Sequence, residues 1–87
     1  MSKRDRSKEP KEVRSANLVA TIRTNLPQVG FVKIATGGRK ASFIFRGLEY
    51  LASSRLTVRE VGLCGQTHET DETERLQNRL RRANTVA

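Results

Sequence analysis

The stretch Ile34-Ala35-Thr36-Gly37-Gly38-Arg39-Lys40-Ala41-Ser42 holds the residues whose types and spacing best suit chemistry. An apolar run breaks at two glycines and is followed at once by two cations. Read as a strand, a turn and the start of a helix, it sets Arg39 and Lys40 on a helix end that already carries positive partial charge. Cations are a cost there unless an anion sits against them. Backbone N–H groups at a glycine turn offer such a site, and nucleic-acid phosphate is the occupant that a basic chain points to. The alternative is a plain turn with two solvated side chains.

Other chemistry is sparse. Cys64 and His68 lie four residues apart and are the only cysteine and histidine. A lone thiol at a strand end is ordinarily a small core residue, and His68 has no evident nucleophile partner. Their spacing matches no metal motif, and one cysteine makes no internal disulfide. Gly37-Gly38 is too short for a nucleotide-binding fingerprint. The chain is therefore expected to be non-enzymatic, without metal or cofactor.

The elements that must position these residues fit in one small domain, since the chain has 87 residues. The net charge is +8, which points to polyanionic partners rather than to a particular fold. No run of 18 apolar residues is present, and Met1-Ser2-Lys3-Arg4-Asp5-Arg6 has no apolar core, so neither a membrane span nor a secretory signal is expected. An intracellular location follows, with cytoplasm, nucleus and organelle left open. Charge is uneven: residues 66–74 carry four acids and no Lys or Arg, while residues 75–87 carry four arginines and no acid. The acidic segment reads as a solvated loop and the segment after it as a basic C-terminal element. Residues 1–12 are polar and basic and read as a disordered arm ahead of a domain over 13–87.

Within that domain, Leu18, Val19, Ile22 and Leu26 have helical spacing, with Ser15 or Asn17 as N-cap and an end before Pro27. Phe31–Thr36 alternates as a strand, with Val32, Ile34 and Thr36 on one face. Ala41, Ile44, Phe45, Leu48, Leu51 and Ala52 trace the apolar face of a second helix, leaving Phe43 and Tyr50 for a partner contact. The phase of Leu56-Thr57-Val58-Arg59-Glu60-Val61-Gly62-Leu63 slips midway, which predicts a bulge near Arg59-Glu60. Asp71 and Glu74 have capping-box spacing ahead of Leu76 and Leu80, favouring a short final helix, although a strand fits the same two leucines.

Two segments carry a family resemblance. Ile34 to Ser42 resembles the glycine-arginine segment of Alba-type nucleic-acid-binding proteins, and Leu56 to Leu63 looks like that family's third strand. The likeness covers about residues 13–65. It implies an α+β two-layer sandwich in the order β-α-β-α-β-β/α, with a mixed sheet and two helices on one face. It also implies DNA or RNA binding, commonly as a dimer. Gly38 and Arg39 take the family's glycine-arginine role, Lys40 adds charge, and residues 65–75 take the place of its hairpin arm. That arm is acidic here, which disfavours its insertion into duplex DNA.

The expected function is RNA binding in a ribonucleoprotein through sequence-independent phosphate contacts at Gly37, Gly38, Arg39 and Lys40. Arg14, Arg23 and Lys33 extend the patch, and Arg79, Arg81 and Arg82 add diffuse contacts. The chain lacks tryptophan and has 5% aromatic residues, too few for an evident base-stacking platform. A chromatin-type DNA-binding protein is the alternative. A non-catalytic interaction subunit, homo- or heterodimeric, is the alternative of another class.

Overall fold

Alternation, not helical spacing, governs the centre of the chain. In the computed structural model, which describes residues 13, 15–35 and 37–85, Lys40–Phe45 forms β2 and Leu48–Ser53 forms β3. They pair antiparallel with Ala41 opposite Ala52 and Phe43 opposite Tyr50. Ala41, Phe43, Phe45, Tyr50 and Ala52 are all buried, every second residue of each strand. The apolar residues that traced a helix are therefore divided between the two faces of a hairpin. Ile44 and Leu51 lie on the other face, half-exposed. Aromatic and β-branched content at Phe43, Ile44, Phe45 and Tyr50 favours the pleated surface. The joint is the two-residue turn Arg46-Gly47, with φ of 55° and 82°. Positive φ at both central positions is what a type I′ hairpin requires, and Gly47 supplies it without steric cost.

The full order is α1 (Ser15–Asn25), β1 (Val32–Ile34), β2, β3, β4 (Val58–Val61), β5 (Thr67–His68) and α2 (Asp71–Thr85). The five strands form one sheet in the order β1-β2-β3-β4-β5, every neighbouring pair antiparallel. The α+β class holds. The expected mixed sheet and β-α-β-α-β-β/α order do not, because the second helix is a hairpin and every strand pair among the described residues is antiparallel. Regular pairing of Tyr50, Leu51 and Ala52 with Glu60, Arg59 and Val58 also removes the bulge. The apparent slip is a change of face within a regular strand: Glu60, opposite Tyr50, continues the face of buried Val58, and Val61 lies on the other face.

Both helices cover one face of the sheet. Leu18, Ile22 and Leu26 from the α1 region and Leu76 and Leu80 from α2 join Ala41, Phe43, Phe45, Tyr50, Ala52, Leu56 and Val58 in a single core. Each fully buried Leu, Ile or Phe contributes about 1.5–3 kcal/mol by leaving water. α1 starts at Ser15, with Asn17 inside it, and ends at Asn25, ahead of Pro27 as the sequence predicts. Val32 and Ile34 pack against the core on alternate positions of β1, also as expected.

The acidic segment is not a loop. Thr67–His68 is the edge strand, and Asp71, Glu72 and Glu74 form the first turn of α2. Acids on that end complement the helix dipole. The capping box is set by Thr70 and Thr73, not by Asp71 and Glu74: Thr70 N–H donates to Thr73 Oγ1 at 2.7 Å, and Thr73 N–H donates to Thr70 Oγ1 at 3.1 Å. Arg75, Arg79, Arg81 and Arg82 lie along the body of this helix.

Candidate nucleic-acid interface

The glycine turn lies at the tip of the β1–β2 hairpin. Ala35 N–H donates to Lys40 O at 2.8 Å, and Gly38 N–H donates to Ala35 O at 3.0 Å. Gly37 and Gly38 have φ of 94° and 75°, which a side chain would strain. No helix begins here, so the expected pairing of Arg39 and Lys40 with a helix dipole is overturned. The cations are gathered by a different device.

That device is a relay of backbone bonds at one end of the sheet. Ser54 N–H donates to Arg39 O at 2.7 Å, and Val13 N–H donates to Ser54 O at 2.8 Å. The first bond ties the glycine hairpin to the β3–β4 turn. The second ties that turn to Val13, the point from which the basic segment 1–12 extends. Arg39, Lys40 and Arg55 are exposed at this end. Lys33 stands opposite Ser42, two residues along β2 from Lys40. Lys33 and Lys40 thus occupy diagonal positions about 7–8 Å apart on the face opposite α1 and α2. Neither they nor Arg39 makes an ion pair among the described residues.

The other candidates do not all join this cluster. Arg14 and the arm 1–12 lie outside the described residues. Arg23 is exposed in the last turn of α1, and Arg79 Nη2 donates to Asn25 O at 2.8 Å, at the C-terminus of the same helix. Arg79 also lines a hollow with Phe45, at the far end of β2 from Lys40. Five residue steps of strand separate those ends by about 17 Å. Arg81 turns inward: it is half-buried, and its Nη2 donates to Thr57 Oγ1 at 3.4 Å. Arg82 is exposed on α2.

Three exposed or half-exposed arginines were not among the expected contacts. Arg55 sits in the β3–β4 turn and Arg46 in the β2–β3 turn, both hidden by assigning their segment to a helix. Arg59 lies across from Leu51 on the uncovered face, paired with Glu69 at 3.1 Å. Phe43 and Tyr50, expected to serve a partner contact, are core residues. Cys64, expected in the core, is exposed in the β4–β5 turn beside fully exposed Leu63, and His68 is exposed on β5.

Negative charge collects elsewhere. Glu69, Asp71 and Glu74 line a polar hollow of about 390 Å3 with Val58, Thr70, Thr73 and Gln77. Among the described residues no group of three His, Cys, Asp or Glu side chains is placed to hold a metal ion, and no helix is long and apolar enough to cross a membrane. No protein-family model, curated protein or solved structure matches this chain significantly.

Proposed function

We propose that the protein binds RNA through the phosphate backbone, as a non-catalytic ribonucleoprotein component, with Arg39 and Lys40 at the centre of the contact. The observation that carries this reading is the relay Arg39 O to Ser54 to Val13 N–H. It brings the cationic hairpin tip, the turn holding Arg55 and the root of a segment rich in Lys and Arg to one end of the molecule. Like charges gathered on one surface are destabilising on their own, and an external polyanion offsets that cost. The surface is made of turns and an open sheet face. Such a surface suits the wide, shallow minor groove of an A-form helix, where recognition is by shape and backbone. The likeness to Alba-type proteins at Gly38 and Arg39 belongs to this proposal, with the glycine-arginine pair now carried by a hairpin.

A second reading is duplex DNA. Arg75, Asn78, Arg79 and Arg82 recur at i, i+3, i+4 and i+7 and are all exposed on α2. A helix face of that composition suits a major groove.

Fluorescence anisotropy with an RNA hairpin and a DNA duplex across a salt series tests both. Each lost phosphate contact shallows the logarithmic salt slope by about 0.7–0.9. Arg39→Ala/Lys40→Ala should therefore shallow it by about 1.4–1.8 on RNA. An unchanged slope in this variant removes the hairpin from the interface. Preference for the duplex, lost on Arg82→Ala, favours the α2 reading. A folded protein that binds neither probe leaves the interaction-subunit alternative.

A further inference from the structure

Arg46 occupies a position that works against the fold. It is the first central residue of the β2–β3 turn, with φ of 55°. Asn, Asp and Gly are the residues such a turn favours, because a larger side chain crowds the backbone in the left-handed region. Core packing does not compensate, since Arg46 is exposed. Its guanidinium lies over the Phe45 ring, 5.1 Å from the centroid, which returns part of the cost. A residue kept in a strained conformation where a better one exists is a reason to look for a ligand.

Beside it is a hollow of about 200 Å3 lined by Pro27, Gln28, Phe45, Arg46 and Arg79. Arg79 is tethered beside the hollow by its bond to Asn25 O, which uses one of its five donors. No carboxylate lines the space. Arg46 and Arg79, with Gln28 and Phe45, therefore border one hollow that has no carboxylate among its lining residues. A carboxylate is satisfied by one guanidinium fork, whereas a phosphomonoester dianion has oxygens and charge enough for two.

We propose that Arg46 and Arg79 form a phosphomonoester site at the end of the sheet opposite Arg39. The phosphate belongs either to a free sugar phosphate or to the 5′ end of a nucleic-acid strand. The proposal stands on the hollow and its two arginines and does not depend on backbone binding at Arg39.

The test is titration calorimetry with inorganic phosphate and with ribose 5-phosphate at fixed ionic strength, beside melting curves. Wild type should bind with saturation and melt at a higher temperature with ligand. Arg46→Asn suits the turn, so it should melt higher than wild type without ligand while binding phosphate at least about tenfold more weakly. Arg79→Gln should lose binding to a similar extent. A 5′-phosphorylated oligonucleotide compared with its 5′-hydroxyl twin separates the sources. A preference for the phosphorylated strand that disappears in Arg46→Asn assigns a strand end, and binding of ribose 5-phosphate without that preference assigns the free ligand. Absence of saturable binding overturns the proposal, as does binding that survives Arg46→Asn/Arg79→Gln. Arg39→Ala/Lys40→Ala should leave phosphate affinity unchanged, so loss at one end of the sheet is distinguishable from loss at the other.

Discussion

Phe43 and Tyr50 face each other across β2 and β3, their ring centroids 5.5 Å apart and their planes inclined by 25°. Both are buried, and the pair sits at the middle of the sheet under the helices. Burial raises the Tyr50 phenol above its ordinary pKa, and the carboxylates of Glu60 and Glu72 push it further in the same direction, against a smaller opposing pull from Arg46. A raised folded pKa means the native state holds the proton after the unfolded chain has released it. Stability is then fully present below the unfolded value of about 10 and falls as pH rises above it, by at most about 1.4 kcal/mol per pH unit. Tyr50→Phe has no proton to hold. Urea midpoints measured from pH 8 to 11 should fall more steeply in wild type than in Tyr50→Phe, and parallel curves would show that the phenol is not buried against carboxylates.

That pair also explains what the sequence conceals. Phe43 and Tyr50 fall off the helical stripe drawn by Ala41, Ile44, Phe45, Leu48, Leu51 and Ala52, yet they are among the largest fully buried side chains. A segment of twelve residues rich in apolar types fits a period of 3.6 on one set of residues and a period of 2 on another. What decides between them is Arg46-Gly47, and an arginine at the left-handed position disguises a turn that Asn-Gly would have announced. α1 was legible from its helical spacing and Pro27 after it, whereas α2 was favoured only by the spacing of Leu76 and Leu80 behind a capping-box pair, its acidic first turn having read as a loop. The cationic cluster was legible in its residues, Arg39 and Lys40, but not in its construction. Val13 and the turn holding Arg55 reach it through the backbone bonds that Ser54 makes with Arg39 and Val13, and those carry no side-chain signature.

Leu56 is the second residue at positive φ with a full side chain, at 63°, and it is completely buried. Its N–H donates to Ser53 O at 2.8 Å, while Ser53 Oγ accepts from the Arg55 and Thr57 amides, both at 3.2 Å. The turn therefore places a core leucine in a conformation that costs about 1–2 kcal/mol. Emptying the site costs about 2–5 kcal/mol in either Leu56→Ala or Leu56→Gly. Only glycine also releases the strain. Leu56→Gly should thus be destabilised relative to wild type and yet about 1 kcal/mol more stable than Leu56→Ala, the reverse of the order in a strand or helix. Chemical denaturation of the two variants measures it, and a more stable alanine variant would refute the strain.

Thr70 and Thr73 fasten the start of α2 to the end of β5. Besides the two reciprocal amide bonds, Thr73 Oγ1–H donates to Thr70 O at 2.8 Å, and Thr73 is buried. Thr70→Ala should cost about 1 kcal/mol, and Thr70→Asn should recover most of it because asparagine caps as well. Thr73→Val removes the acceptor of the Thr70 amide, and an unmade bond at a half-enclosed site adds about 1–3 kcal/mol. Amide exchange over residues 70–74 should accelerate in Thr70→Ala while that of β2 and β3 is unchanged. Uniform acceleration would mean that the cap and the sheet unfold as one unit.

Arg81 separates charge that serves binding from charge that serves packing. Its Nη2 reaches Thr57 Oγ1 at 3.4 Å, a long bond, while its Nε is buried with no partner. A buried donor left unpaired costs about 1–3 kcal/mol, so the guanidinium is a poor fit where it stands. Methionine keeps the length of the stem and fills irregular space without a donor. Arg81→Met should raise the melting temperature by about 4–8 °C for each kcal/mol recovered in a domain of this size. If Arg81 faces inward as its contacts describe, the variant should also leave the salt slope of RNA binding as it is in wild type. A slope shallower by about 0.7 would instead count Arg81 among the phosphate contacts. A lower melting temperature would mean that the Thr57 bond outweighs the unpaired Nε.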